Sequence, residues 1–373
     1  MARPFTVIMD LTARCNLKCV MCHFSQADRI HFPPFDLPAA SDGNMRIDVF
    51  TEIAADLFPR ARRVALACAA EPLIHPRFKE IVAIAGSYGV PDLWFPTNLL
   101  ALSEGSARAI LDANVRTVAA SIDGLTKETY EKIRVGGKWE RLLQTLELLR
   151  TLKREARRRR PGLRIIFTWM KSNFAELVDL PAFAADQGAE ELDVRYVSPS
   201  YGVDVSGEVL DGEDPRKLRA ILAATAREAV RRGLRLIAYP EFEIAEERSR
   251  AVLARIGRRI WRIRAGIDRP EHLRYMWDQR LHGCAYPDKY WVIRPNGAVS
   301  PCIYWQEEPI GIYPGGGRAA MASGAPLSRI REGLRSDRPV GSCAGCSERR
   351  NALYRIRGDE AGSPAPASLP TIR

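Results

Sequence analysis

The sequence lacks any run of eighteen apolar residues, which excludes a helix long enough to span a bilayer. It lacks an N-terminal apolar stretch with a small-residue cleavage site, so export is not expected and the chain is assigned to the cytoplasm. It shows no internal repeat, which sets aside solenoid and propeller architectures. Cysteine is sparse, 8 in 373 residues, and in a reducing compartment that points to metal or redox work rather than a disulfide framework.

What is present reads as a soluble globular protein, with 46% hydrophobic and 27% charged residues. The length suits two domains, or one large α/β domain with an appendage. Net charge is +11, mostly from arginine. Such a surface attracts phosphates, anionic lipid or nucleic acid; the plainer reading is an arginine-rich composition, and no nucleic-acid partner is expected.

Residues 1–240 alternate short apolar runs with longer amphipathic stretches. Strands are expected over 5–11, 63–68, 92–97, 117–122, 164–170, 191–197 and 234–239, with helices such as 47–58, 139–156 and 174–188 between them. This alternation predicts βα units on a parallel sheet, closing into a full or partial barrel, with ligands at the C-terminal strand ends. Residues 241–280 read as a basic helical linker. Within it, Val252, Leu253, Ile256, Ile260, Ile263 and Ile267 form one stripe of the 248–267 helix, and Arg248, Arg255, Arg258, Arg259 and Arg262 occupy another side. Packing on the barrel is the favoured role for that helix, and peripheral attachment to an anionic membrane is the minority one. Residues 281–350 are rich in Gly, Pro and Cys and need a staple to fold, and 351–373 read as a disordered tail. The run "KREARRRR" (153–160) ends a helix before Pro161 and reads as a solvated, dipole-compensating face.

Seven of the eight cysteines fall into two groups, and Cys68 stands apart. The first group sits in "LTARCNLKCVMCHF", where Cys15, Cys19 and Cys22 are spaced C-x3-C-x2-C just after the first strand. Zinc sites and iron–sulfur cubanes normally take four ligands. No fourth thiolate or histidine is well placed, because the adjacent His23 can hardly reach across a cluster. A cubane held by three thiolates leaves one iron open to chelate a small molecule. The second group, Cys284, Cys302, Cys343 and Cys346, is spaced C-x17-C-x40-C-x2-C. The "RPNG" turn between Cys284 and Cys302 predicts a β-hairpin that brings those two together, and the C-x2-C pair completes a closed four-thiolate site. Taken alone, that site suits zinc or iron–sulfur equally.

C-x3-C-x2-C after the first strand of a partial (β/α)6 barrel resembles the radical S-adenosylmethionine (AdoMet) enzymes. That resemblance implies a [4Fe-4S] cluster on Cys15, Cys19 and Cys22, whose open iron binds AdoMet. It implies reductive cleavage to a 5′-deoxyadenosyl radical, fed by a reductant such as flavodoxin or ferredoxin. "CAAEPLIHP" (68–76) is similar to the family's Gly-Gly-Glu-Pro motif, with Ala69 and Ala70 in place of both glycines, and implies that Ala69, Ala70 and Glu71 meet the AdoMet amino group. "FPTNLLAL" (95–102) matches its Thr-Asn-Gly stretch, with Asn98 present and Leu99 for Gly. "SIDGLTKETYEKIRVGG" (121–137) is the closest match. By analogy Ser121 and Arg134 bind the AdoMet carboxylate and Asp123 faces the reaction chamber. Met21 would pack on adenine, and Met170 and Asn173 would contribute from the fifth-strand motif.

Beside that motif, C-x12-G-x4-C looks like the SPASM/twitch appendage, in its shorter form with one auxiliary [4Fe-4S] cluster on the second cysteine group. A fully ligated cluster fits electron transfer. The resulting expectation is oxidation, or alternatively epimerisation, of a small polar metabolite such as a sugar, aminocyclitol or natural-product intermediate. Cys68 is either a small buried residue or a thiol hydrogen donor, which an epimerase needs and a dehydrogenase does not; dehydrogenation is favoured. A peptide-modifying maturase is the alternative, weakened by only fourteen residues before Cys15. A non-catalytic iron–sulfur or zinc protein binding RNA or membrane is the third.

Overall fold

The computed structural model describes residues 5–22, 43–197, 203–210, 212–238 and 284–346. The expected helix at 248–267, the remainder of the 241–280 linker and the tail 351–373 lie outside the described residues. All seven expected strands are present: β1 (Phe5–Met9), β2 (Ala61–Ala65), β3 (Asp92–Thr97), β4 (Thr117–Ser121), β5 (Gly162–Trp169), β6 (Glu191–Tyr196) and β7 (Arg235–Ala238). Each pairs in parallel with the next. Alternation sorts the side chains. Val7, Val64, Phe95, Val118, Ile165 and Val194 face outward into one core under the helices. Ala65, Trp94, Ala119, Arg164 and Asp193 therefore face inward.

The covering helices follow their apolar spacing. Helix α1 (Ile47–Leu57) buries Val49, Phe50, Ile53, Ala54 and Leu57 on one stripe. Helix α2 (Phe78–Ser87) and α3 (Glu104–Asp112) follow, the latter started by a Ser103/Ser106 capping box. Helix α4 (Lys127–Ile133) and α5 (Trp139–Glu155) cover β4 and β5. The expected single helix over 174–188 is instead a 3-10 segment, Lys171–Val178, followed by α6 (Leu180–Asp186). Pro181 sits in the first turn of α6, where its missing N–H is tolerated but an uninterrupted helix through it is not. Helix α7 (Pro215–Arg231) precedes β7.

The segment after residue 283 contributes β8 (Tyr290–Ile293), β9 (Ala298–Ser300) and β10 (Gly311–Ile312). The expected hairpin joins β8 and β9. Gly297 makes its turn with φ +85°, and a Cβ there would lie 2.1 Å from the Tyr313 carbonyl oxygen. β8 also pairs in parallel with β1, so the ten strands form one sheet in the order β10-β9-β8-β1-β2-β3-β4-β5-β6-β7. The fold is thus a partial β/α barrel whose sheet is continued by the cysteine-bearing hairpin. No helix among the described residues is long and apolar enough to cross a membrane.

Candidate active site

The first cysteine loop leaves the C-terminal end of β1 and is stitched down by backbone bonds to three neighbours. Ala13 N–H donates to the Gly43 carbonyl at 2.7 Å, Lys18 N–H to Val135 at 2.8 Å and Val20 N–H to Ile133 at 3.0 Å, while the Arg14 carbonyl accepts from Glu71 N–H at 3.1 Å. The loop is therefore held by the end of α4 and by the loop after β2. Cys15 is exposed, Cys19 buried and Cys22 intermediate. Burial raises the Cys15 thiol. Burial also pushes Cys19 up to about 11, against the pull of Arg134.

Arg134 is buried beside this loop. Its guanidinium lies 2.6 Å from Asp123 Oδ2, and Nη1 is 3.8 Å from Cys19 Sγ. Burial opposes its charge, but Asp123 and Cys19 outweigh that and raise its pKa. Asp123, expected to face the reaction chamber, is fully buried, with Oδ1 accepting the Thr168 N–H at 2.7 Å and Oδ2 lying 2.6 Å from the Arg134 guanidinium. Ser121 stands at the inward-facing end of β4, partly exposed.

Glu71 is buried and its carboxylate is spoken for by the protein. It accepts from Thr97 Oγ1 at 2.6 Å, Leu73 N at 3.1 Å and Asn98 N at 2.7 Å. Burial raises its pKa, against those three hydrogen bonds. Asn98 Nδ2 in turn donates to Asn16 Oδ1 at 2.8 Å and sits 4.0 Å from Cys15 Sγ. Ala69 and Ala70 are partly exposed and neither has a left-handed backbone, so the conformation here does not require glycine. Leu99 differs: its φ is +64°, the region that favours glycine, and its side chain is fully buried.

Met170 is buried in a small cluster with Ile133 and Val197, against which Met21 packs. Asn173 is committed to the backbone. Its Oδ1 accepts from Met170 N at 2.8 Å and its Nδ2 donates to the Asp123 and Thr168 carbonyls at 2.9 and 2.8 Å. It fixes the ends of β4 and β5.

Two residues that sequence reasoning did not single out join these parts. Asp10, directly after β1, accepts the Cys68 N–H at 2.8 Å and the Ala69 N–H at 2.9 Å on Oδ1. Its Oδ2 receives Arg294 Nη1, from the end of β8, at 2.9 Å. The available signal was a lone acid closing the apolar run "FTVIMDL". Cys68 is exposed, yet burial by surrounding protein and the nearby Asp10 push its thiol up to about 12, with Arg294 and Arg195 opposing. A side chain that is both open to solvent and crowded by protein lines a concavity. Arg195 and Asp193 lie on the inward face of β6 and pair at 2.7 Å.

The second group converges: Cys284, Cys302, Cys343 and Cys346 line one cavity together with Trp305 and Ser342. The hairpin supplies the first two. The short helix Ser342–Gly345 supplies Cys343 and ends just before Cys346. Glu307 ties that helix to the hairpin by accepting from Ser342 N and Oγ at 2.5 and 2.7 Å. Burial raises the thiols of Cys284 and Cys302, the latter to about 12. Sulfur donors are the ligands iron–sulfur clusters take: three lie on a loop beside a buried guanidinium and four line one cavity, although among the described residues no three such side chains are gathered closely enough to hold a metal ion.

Comparison with known proteins agrees with this geometry. Residues 9–159 match the radical SAM superfamily. The chain is 25% identical over 210 residues to the tungsten-containing aldehyde ferredoxin oxidoreductase cofactor-modifying protein of Pyrococcus furiosus, covering 55% of this chain and 54% of the relative. It is 26% identical over 216 residues to the AdoMet-dependent heme synthase of Methanosarcina barkeri, covering 58% and 57%. The chain thus spans about half the length of these curated relatives. The fold matches Streptococcus suis SuiB bound to S-adenosylmethionine with a TM-score of 0.59 at 14% identity, covering 94% of this chain and 72% of that one. The matched stretch, residues 9–159, holds Cys15, Cys19, Cys22, Glu71, Asn98, Ser121 and Arg134, so the likeness to the radical SAM superfamily falls on the first cysteine loop and its surroundings.

Proposed function

We propose that the chain is a radical AdoMet oxidoreductase that dehydrogenates a small polar metabolite, with an auxiliary [4Fe-4S] cluster as electron acceptor. The carrying observation is the cavity lined by Cys284, Cys302, Cys343 and Cys346 on a hairpin that pairs with β1, the strand that launches Cys15, Cys19 and Cys22. When bound, the first cluster and AdoMet supply one-electron chemistry that removes a hydrogen atom from substrate. Cys15, Cys19 and Cys22 hold that cluster, and Arg134 compensates its charge beside Cys19. Ser121, with the loop at Ala69 and Ala70, borders the space left for AdoMet. Met21 and Met170 give it an apolar wall. Asp123 and Asn173 orient rather than react.

A polar substrate is supported by two exposed groups near the C-terminal strand ends, the Cys68 thiol and the Arg195 guanidinium. Dehydrogenation over epimerisation is supported by the four cysteines that line the second site, enough to ligate a cluster fully, and by a Cys68 thiol tied by its own backbone to the AdoMet-side loop.

The test is anaerobic reconstitution with iron and sulfide, followed by AdoMet cleavage under dithionite with candidate polyols and aminocyclitols. One 5′-deoxyadenosine per oxidised product, without solvent deuterium in product, supports the reading. Modification of a peptide and not of any small metabolite defeats it in favour of the maturase alternative.

A further inference from the structure

At the N-terminal end of the barrel, opposite the loop that bears Cys15, Cys19 and Cys22, lies a cavity of about 640 Å³. Its wall carries five cations: Arg116 before β4, Lys153 in the last turn of α5, and Arg158, Arg159 and Arg160 in the stretch leading into β5. The acids on the wall are Glu190 and Glu191. Glu191 is already bound to Arg164 at 2.6 Å and to Arg235. Glu190 reaches Lys153 only at 4.0 Å. Arg116 has Asp92 at 3.9 Å, and Asp92 is shared with Arg63 at 3.1 Å. Arg158, Arg159 and Arg160 make no side-chain hydrogen bond or ion pair with another described residue.

Helix-dipole compensation accounts for part of this basicity. It explains Lys153 and Arg154, which lie in the last turn of α5. It does not explain three further arginines beyond the helix end, because the effect fades within a turn. Like charges on a concave wall repel one another and focus a positive potential. Arg158, Arg159 and Arg160 stand exposed on that wall, while Lys153 is half-buried at its base.

The cavity is within the size range of small-ligand sites. Its lining contains no aromatic side chain, so it has no platform for stacking a base and reads charge instead. Guanidinium groups match phosphate oxygens through paired hydrogen bonds. We propose that this cavity is a second ligand site, at the opposite end of the barrel from AdoMet, for a pyrophosphate-bearing small molecule held by Arg158, Arg159 and Arg160 over Arg116 and Lys153.

The experiment is isothermal titration of the full-length reconstituted protein with inorganic pyrophosphate at two salt concentrations. It compares the parent with Arg158→Ala/Arg159→Ala/Arg160→Ala, and with a control that removes two exposed charges elsewhere, Arg329→Ala/Arg335→Ala. The expected result is one-to-one binding that weakens with salt and falls about tenfold or more in the triple variant only. AdoMet cleavage per cluster should be equal in all three proteins, which also shows that the triple variant is folded. Absence of pyrophosphate binding in the parent, or an equal loss in the control, overturns the proposal. The same titration with a single-stranded RNA and with anionic vesicles closes the question. Binding of either one that depends on Arg158–160, without pyrophosphate binding, assigns the face to that partner instead.

Discussion

Asp10 and Arg294, 284 residues apart in sequence, form a buried ion pair at 2.9 Å where β1 and β8 end side by side. The same carboxylate holds the amides of Cys68 and Ala69. One side chain thus joins the hairpin that bears Cys284 and Cys302 to the loop that leads to Glu71. Replacing Asp10 with Ala strands a buried guanidinium and two amides, so a loss of about 3–5 kcal/mol is expected in denaturant unfolding, with a smaller loss for Asp10→Asn. AdoMet affinity should fall with it. An Asp10→Ala protein as stable as the parent would show that the pair is not structural.

The two cysteine groups predict separable iron. Cys15→Ala/Cys19→Ala/Cys22→Ala should abolish AdoMet cleavage and leave about four irons per chain at the other site, counted chemically after anaerobic reconstitution. Cleavage surviving in that variant would remove the basis of the proposed function.

The Cys68 thiol, pushed up to about 12, should resist alkylation although it is exposed. Only the thiolate reacts. Because the folded pKa lies far above the ordinary thiol value of about 8.5, the reactive fraction at pH 8 falls by about three orders of magnitude. It should then rise about tenfold per pH unit between 8 and 10. Peptide mapping after iodoacetamide treatment of the reconstituted protein reads this out. Labelling that is already complete within minutes at pH 7 contradicts it.

For the reaction itself, Cys68→Ala with the true substrate in deuterated water separates the two outcomes. Unchanged turnover, with no deuterium in product from the parent enzyme, is expected of a dehydrogenase. Lost product with continued 5′-deoxyadenosine formation would make Cys68 a hydrogen donor and the enzyme an epimerase.

Leu99 combines a left-handed backbone with full burial. Leu99→Ala should lose about 2–5 kcal/mol by leaving a cavity. Leu99→Gly empties the same space but removes the left-handed strain, which costs a side-chain-bearing residue about 1–2 kcal/mol. Glycine should therefore be the better tolerated of the two, the reverse of the order at a helical or extended position. Equal midpoints in urea would count against strain at this site.

The strands were legible because β1 through β7 are short apolar runs bounded by turn signals, and the cysteine groups because their spacing survives without any fold. The break at Pro181 was misread because "FAELVDLPAFAADQG" keeps a helical apolar period across it. Asp123 and Asn173 were placed by motif, but a motif does not say which way a carboxylate points. Once folded, Asp123 pairs with Arg134 and the Thr168 amide, and Asn173 bonds backbone groups of β4 and β5. Asp10 was invisible for a different reason: its partner comes from the far end of the chain, and the pair exists only because β8 lies against β1.

That strand order also has a temporal consequence. β1 leaves the ribosome about 280 residues ahead of its partner β8. At about 5–20 residues per second the interval is on the order of 15–60 s. Through that interval the apolar strand that carries the first three cysteines has an open hydrogen-bonding edge, the kind of surface that recruits stray strands. Nascent chains need shelter for that edge, and metal delivery to the two sites is staggered by the same delay.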